Sequence, residues 1–378
     1  MADNPLAQLA KVGQSVWYDQ MERSLITTGK LRQLIERDDL RGLTSNPTIF
    51  EKAIGGSSDY NDSLRKLSDE NKSRDEIYEA LVVEDLGNAA DLFRPVYDKH
   101  SGGDGFVSLE VSPTLANDTA GTTTDAKRFW DLMNRPNMMI KIPATAEGIP
   151  AIEASIAAGV NINITLIFSQ DVYEQVINAY LTGLERRVAA NQAIDGIASV
   201  ASFFVSRIDA LIDKRIDEKL GGMTDEEKKG DLQSLKGKVA IANAKVAYQL
   251  FKEHFSSERF EKLRKAGARV QRPLWASTGT KSAEYSDVLY IETLIGPDTV
   301  NTIPPKTYDA FRDHGHVALT LEKDVDEARS ILDRLAAAGI SLDEATDKLT
   351  VDGVTSFADS FTSLMQTIDT RRAAEVAR

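Results

Sequence analysis

No cysteine occurs in the 378 residues, so the chain holds no disulfide, no thiolate nucleophile and no cysteine-based metal site. Histidine is nearly as scarce. His100, His254, His314 and His316 are the only four, and just the last two lie close together. The His314-Gly315-His316 stretch reads as surface loop, so no metal is expected. No run of about 18 uncharged apolar residues is present to span a bilayer. The start, MADNPLAQLAKVGQSVW, lacks the basic-then-apolar order of a secretory signal. Positive charge is in deficit, with 45 Lys and Arg against 58 Asp and Glu and a formal net of -13. That balance argues against nucleic acid or an anionic membrane as partner, since both need clustered cations. A few local cations can still bind phosphate on an acidic protein. No Rossmann glycine fingerprint appears, and Gly279-Thr280-Lys281-Ser282 lacks the rest of a P-loop, so no nucleotide cofactor is expected. The expectation is a cytoplasmic globular protein.

What is present is a recurring unit of short apolar stretch, polar turn and helical pattern. The clearest begins at Asn161: residues 161–168 read NINITLIF, then Ser169 stands as N-cap of a helix running to about Asn191. Further strands are placed at Val16–Asp19, Gly42–Asn46, Phe106–Val111, Met138–Pro143, Ile197–Val205, Val270–Ser277 and Thr299–Ile303. Alternation of strands with helices implies parallel strands and helical crossovers, and eight units favour a closed (β/α)8 TIM barrel. Intervals 51–104 and 208–268 read as extra helices at barrel loops, and beyond residue 304 the pattern is helical. The whole of 1–378 is therefore expected as one barrel domain with an N-terminal helix and a C-terminal helical extension.

Side-chain alternation separates a barrel from an open sheet. Asn161, Asn163 and Thr165 share one face, while Ile162, Ile164 and Leu166 share the other. A strand in a doubly wound sheet is covered on both faces and should be apolar on both. A barrel strand can instead present polar groups to a lumen. By the same rule Met139, Lys141 and Pro143 face inward, as do Ser108 with Glu110, Trp17 with Asp19, and Thr44 with Asn46. A lysine inside an apolar strand stands out, because lysine is almost never buried without a partner. Two readings are open: Lys141 closes the barrel in an ion pair with Glu110 or Asp19, or it is an amine nucleophile. A desolvated ammonium gives up its proton more readily, and the neutral amine attacks carbonyls with carboxylates moving the protons.

The stretches YDQM around Asp19, GLTSNPTIF at 42–50, SLEVSP at 108–113, MMIKIPAT at 138–145, NINITLIFS at 161–169, SFFVSRID at 202–209 and WASTGTKS at 275–282 together resemble the transaldolase family, in the family's order. The resemblance implies that Lys141 forms a Schiff base, Asp19 takes the proton of the substrate C4 hydroxyl, and Glu110 and Thr165 position a water and relay protons. It places Thr44, Asn46, Asn163 and Ser202 around a bound dihydroxyacetone unit, Phe204 as an aromatic wall and Arg207 on the substrate phosphate. Family members carry an arginine shortly after the serine matching Ser277. Here Lys281 stands nearby and is expected to supply that second cation, with Gly279 leaving backbone donors free.

The implied reaction moves a dihydroxyacetone unit from a ketose phosphate (sedoheptulose 7-phosphate or fructose 6-phosphate) to an aldose phosphate (glyceraldehyde 3-phosphate or erythrose 4-phosphate). Sugar phosphates would be the partners, no cofactor would be needed, and a homodimer would be in keeping with related enzymes. The nearest rival is an aldolase on the same scaffold that releases dihydroxyacetone to water; in resembling aldolases a tyrosine replaces the aromatic at the Phe204 position. A non-catalytic sugar-phosphate-binding barrel is the rival from another class.

Overall fold

The computed structural model describes residues 4–376. Eight parallel strands pair in chain order and close on themselves: β1 Gln14–Tyr18, β2 Gly42–Leu43, β3 Phe106–Glu110, β4 Met138–Pro143, β5 Ile162–Ile167, β6 Ser199–Phe204, β7 Arg272–Ala276 and β8 Thr299–Ile303. Closure runs through β1 and β8, paired from Gln14↔Thr299 to Tyr18↔Ile303. The expected barrel is present, and β4 and β8 have the expected bounds.

β2 is shorter than expected. It stops at Leu43 because Asn46 becomes the N-cap of the Pro47–Gly56 helix, its side chain accepting from the Ile49 backbone N–H at 3.0 Å. Pro47 follows at the first helical position, where its missing N–H costs nothing. Thr44–Asn46 is thus the turn out of the barrel, which brings both side chains to the C-terminal mouth. The Gln170–Ala189 helix starts as expected, with Ser169 accepting from Val172 N–H at 3.1 Å.

β5 departs from simple alternation. Its pairing with β6 shifts between Ile164 and Ile167, and Leu166 takes φ +59°, a left-handed conformation that is rare for leucine. The expectation that Leu166 shares the outer face with Ile162 and Ile164 is therefore wrong. Its side chain meets Gly353 of the C-terminal helix, where even a Cβ would lie 2.8 Å from Leu166 Cδ2.

The interval after β2 forms the helices Pro47–Gly56, Asn61–Asp69 and Arg74–Lys99. The interval after β6 forms Ser206–Leu220, Glu226–Gln233, Val239–Phe255 and Glu258–Lys265. After β8 come Pro305–His314, Val325–Ala337 and the 35-residue Leu342–Val376 helix, which packs on Pro47–Gly56, Asn61–Asp69 and β5. The alternatives of packing on the barrel or on a partner resolve, for this helix, to the barrel mouth. His314 and His316 are exposed, with His314 Nε2 3.0 Å from Asp287. Among the described residues no cluster of His, Asp and Glu could hold a metal, and no helix is long and apolar enough to cross a membrane.

Candidate active site

Parallel register brings the central residues together. Glu110 pairs with Lys141 across β3 and β4, Lys141 with Asn163 across β4 and β5, and Pro143 with Thr165. Inward residues at matched heights form one layer of a barrel, so a lysine, a carboxylate and an amide meet near the C-terminal ends of their strands. Lys141 is 5% exposed. Its Nζ donates to Ser45 O at 2.9 Å and to Glu110 Oε2 at 3.3 Å. Burial raises the Glu110 carboxyl above the ordinary carboxylate range, and the nearby Lys141 charge offsets part of that rise. Glu110 is thereby a better proton acceptor than a solvated glutamate.

Above this layer lies a cavity of about 380 Å³. Of the twelve residues singled out in the sequence, Asp19, Thr44, Asn46, Lys141, Thr165, Ser202, Phe204, Arg207, Ser277 and Lys281 line it. Glu110 sits beneath, touching the cavity through Lys141. Asn163 also lies below the wall, fully buried in a chain in which its Nδ2 donates to Ser108 Oγ at 3.0 Å and Ser202 Oγ donates to its Oδ1 at 2.7 Å. Thr165 Oγ1 is buried without a hydrogen-bond partner among the described residues, so its hydroxyl is free for a substrate or water.

Asp19 stands just past β1 at the rim. Its Oδ1 accepts from the Thr44 hydroxyl at 2.7 Å. Burial raises its carboxyl above the usual range, while the Thr44 hydrogen bond and the charges of Lys141, Arg207 and Lys281 pull it back. A carboxyl with raised proton affinity suits exchange with a sugar hydroxyl.

The outer part of the cavity is cationic. Arg207 lies in the first turn of the Ser206–Leu220 helix, whose N-terminal dipole also favours an anion. Its guanidinium carbon lies 5.2 Å from the Phe204 ring centroid, and burial lowers its proton affinity. Lys281 is likewise lowered by burial and then by Arg207, while Asp19 acts the other way and Lys52 adds to the lowering. Arg207, Lys281 and Lys52 all line the cavity, and among the described residues none of the three forms an ion pair. Three cations lining one end of a single cavity give that end a chemistry suited to an anion.

Two tyrosine–aspartate bonds fix the loop that carries Lys281. Tyr285 donates to Asp213 at 2.7 Å and Tyr290 to Asp209 at 2.8 Å, tying 279–290 to the Ser206–Leu220 helix that carries Arg207. Ser277 adopts φ +55° and its Oγ is 3.0 Å from Ser206 Oγ. Lys52, Thr302 and Phe357 also line the cavity and were not singled out in the sequence. Lys52 is recoverable as a polar position of the helix capped by Asn46. Phe357 carries no local signal, because one more aromatic on a helical stripe looks like core.

A second cavity, about 310 Å³, lies at the opposite mouth and is lined by Arg41, Asp104 and Arg272. There Arg272 pairs with Asp104 at 3.3 Å and Arg41 with Asp39 at 2.7 Å, while Arg269, also in the lining, donates to the backbone oxygens of Asp195 and Ser101. Chemistry belongs to the C-terminal mouth.

A closed parallel barrel with a buried amine beside the Glu110 carboxylate, Asp19 at its rim and cations at its lip is a site of the kind an aldol-type enzyme uses. The chain belongs to the Transaldolase/Fructose-6-phosphate aldolase family, whose model matches residues 16–368. It is 46% identical over 371 residues to the Transaldolase of Trichodesmium erythraeum, covering 98% of each chain. It is also 46% identical to Transaldolase 2 of Nostoc sp. PCC 7120, over 98% of each, and 45% identical to the Transaldolase of Acidothermus cellulolyticus, over 99% of this chain and 98% of that one.

Proposed function

We propose that Lys141, Asp19, Glu110 and Thr165 carry the transaldolase reaction of this enzyme, which transfers a dihydroxyacetone unit between sugar phosphates of the pentose phosphate pathway. The observation that carries the assignment is the Lys141 amine, buried at the base of the cavity 3.3 Å from Glu110. The amine passes a proton to Glu110 and attacks C2 of the ketose. The carbinolamine oxygen takes protons through Glu110 and a water held with Thr165 and leaves as water, forming the imine. Asp19 accepts the C4 hydroxyl proton. The C3–C4 bond breaks, its electrons pass into the imine as an enamine, and an aldose phosphate departs. An acceptor aldehyde then bonds to C3, its oxygen takes the proton back from Asp19, and hydrolysis frees the new ketose.

Thr44, Asn46 and Ser202 bind the hydroxyls of the three-carbon unit, and Asn163 holds Ser202 in place. Asn46 has its amide N–H₂ available because its oxygen caps the following helix. Arg207 and Lys281 hold the phosphate, and Phe204 supports the Arg207 fork from beside it. Ser277, with its turn, aims this wall. Reading the whole chain as one domain is supported by an apolar cluster running from Leu6 to Ile368. Cytoplasmic location, expected from the composition, and a homodimer, in keeping with related enzymes, are part of the same proposal.

Borohydride reduction in the presence of fructose 6-phosphate, followed by peptide mapping, tests the assignment. A reduced three-carbon adduct on Lys141 is expected. An unmodified protein, beside an active transaldolase treated alike, would return Lys141 to a structural ion pair.

A further inference from the structure

The C-terminal helix reaches the amine. Phe357 is 5% exposed, lines the cavity together with Ser356, and its ring centroid lies 6.0 Å from Lys141 Nζ. Positions 353, 357 and 361 share one helix face, four residues apart. Gly353 lets the helix close onto Leu166, the residue after Thr165, and Phe361 stacks edge-on against Tyr78 at 5.3 Å. Two hydroxyl contacts clamp the same helix to Pro47–Gly56: Thr48 Oγ1 to Ser360 Oγ at 2.7 Å, and Ser363 Oγ donating to Glu51 at 2.7 Å. The ring is therefore held in position between the amine and the mouth.

We propose that Phe357 caps the Lys141 enamine and sets its partition between transfer to an aldehyde and release to water. This rests on the Schiff-base assignment above. After the aldose leaves, the enamine waits for an acceptor. In transfer, C3 bonds to the acceptor's carbonyl carbon and the aldehyde oxygen takes the proton. In release, C3 takes a proton instead, water adds to C2 of the resulting imine, and the carbinolamine collapses to dihydroxyacetone and free amine. Both routes end with water adding at C2, so the branch is set at C3, where release needs a proton source that transfer does not. The other side chains that line this end of the cavity are mostly polar: Asp19, Thr44, Asn46, Thr165 and Ser202. Phe204 and Phe357 are the aromatic walls, and the Phe357 ring lies nearest the nitrogen among aromatic rings of the described residues. Filling that volume with a ring keeps bulk water from the enamine while the inner water at Glu110 and Thr165 still serves imine formation.

The test uses full-length Phe357→Ala and Phe357→Leu. Dihydroxyacetone release is measured from fructose 6-phosphate alone, and transfer with erythrose 4-phosphate added. The ratio of release to transfer should rise about tenfold in Phe357→Ala and less in Phe357→Leu, which keeps part of the apolar volume. Phe361→Ala, on the same helix but away from the cavity, loosens the helix without opening the cap and should leave the ratio unchanged. Equal falls in both rates at Phe357, or an equal rise in the ratio for Phe361→Ala, would overturn the proposal. Borohydride trapping on each variant separates the two readings. An adduct with an unchanged ratio sinks the cap alone, whereas no adduct in any form sinks the Schiff base.

Discussion

The Thr44 hydroxyl donates to Asp19 Oδ1 at 2.7 Å and, having no second proton, accepts from Thr302 Oγ1 at 2.6 Å. Three strands are linked through this relay, and it fixes the carboxylate at the lip of the barrel. The bond to Thr44 also lowers the proton affinity that burial raises at Asp19. Thr44→Val keeps the volume and removes the donor. Its Asp19 carboxyl should titrate higher, so the acidic limb of kcat/KM moves to higher pH and its plateau falls about tenfold. A pH profile superimposable on the wild type's would show that Thr44 does not hold Asp19 during turnover.

Glu110 and Lys141 pair inside the barrel, with side-chain exposures of 5% and 6%. Removing either partner of such a pair leaves a buried charge uncompensated, on the order of 3–5 kcal/mol. Glu110→Gln retains the shape and an acceptor oxygen, so it should fold with a lowered Tm. Its defect should fall on imine formation. Rapid-mixing trapping with borohydride is expected to show adduct accumulating about 10²-fold more slowly. If C–C cleavage slows while adduct forms at the normal rate, Glu110 has no role in the dehydration.

Among the cations at the mouth Arg207 is half-buried, whereas Lys281 and Lys52 are both exposed; desolvation and the neighbouring Arg207 lower the proton affinity of Lys281. Lys281→Ala should raise KM for phosphorylated substrates about 10–100-fold and leave unphosphorylated ones little changed, the loss expected of a charge-assisted hydrogen bond. Arg207→Ala should do the same more severely. Lys52→Ala should act by steering, with a modest KM rise near 0.05 M salt that vanishes near 0.5 M, where the screening length drops to about 4 Å. Equal loss for phosphorylated and unphosphorylated substrates with Lys281→Ala would remove it from the phosphate site.

Strand faces are legible because a barrel strand alternates with period two, and Glu110 of β3, Lys141 of β4 and Thr165 of β5 follow that rule. Legibility fails where the chain leaves the period. Leu166 turns left-handed at a bulge, and nothing in NITLIF signals it. β2 ends early because Asn46 does two jobs, cap and site, and a five-residue run reads equally well as strand. Phe357 is distant in sequence from every strand motif, and its meeting with Lys141 depends on how a long helix crosses the mouth. Asn163 lies below the cavity lining, hydrogen-bonded to Ser108 and Ser202, a demand for buried hydrogen bonds that alternation does not count.

Asp209, two residues beyond Arg207 on the same helix, gives the protein a pH-dependent weakness. Its carboxyl accepts from Ala240 N–H at 2.7 Å and from Tyr290 at 2.8 Å, yet burial pushes it from 3.8 up to about 7. Between those two values the folded chain keeps the proton and the unfolded chain has lost it. Stability from this group is therefore full below about pH 4 and falls by about 1.4 kcal/mol per pH unit until about pH 7. Asp209→Asn retains an acceptor for Ala240 and can donate to the Tyr290 oxygen, and it has no proton to lose. Urea unfolding at about pH 5 and about pH 7 should give a steeper loss for the wild type than for the variant, with the variant the more stable at the higher pH. Identical pH slopes would mean that Asp209 titrates alike in the folded and unfolded chains, and that the Tyr290 bond is held by a carboxylate already fully charged.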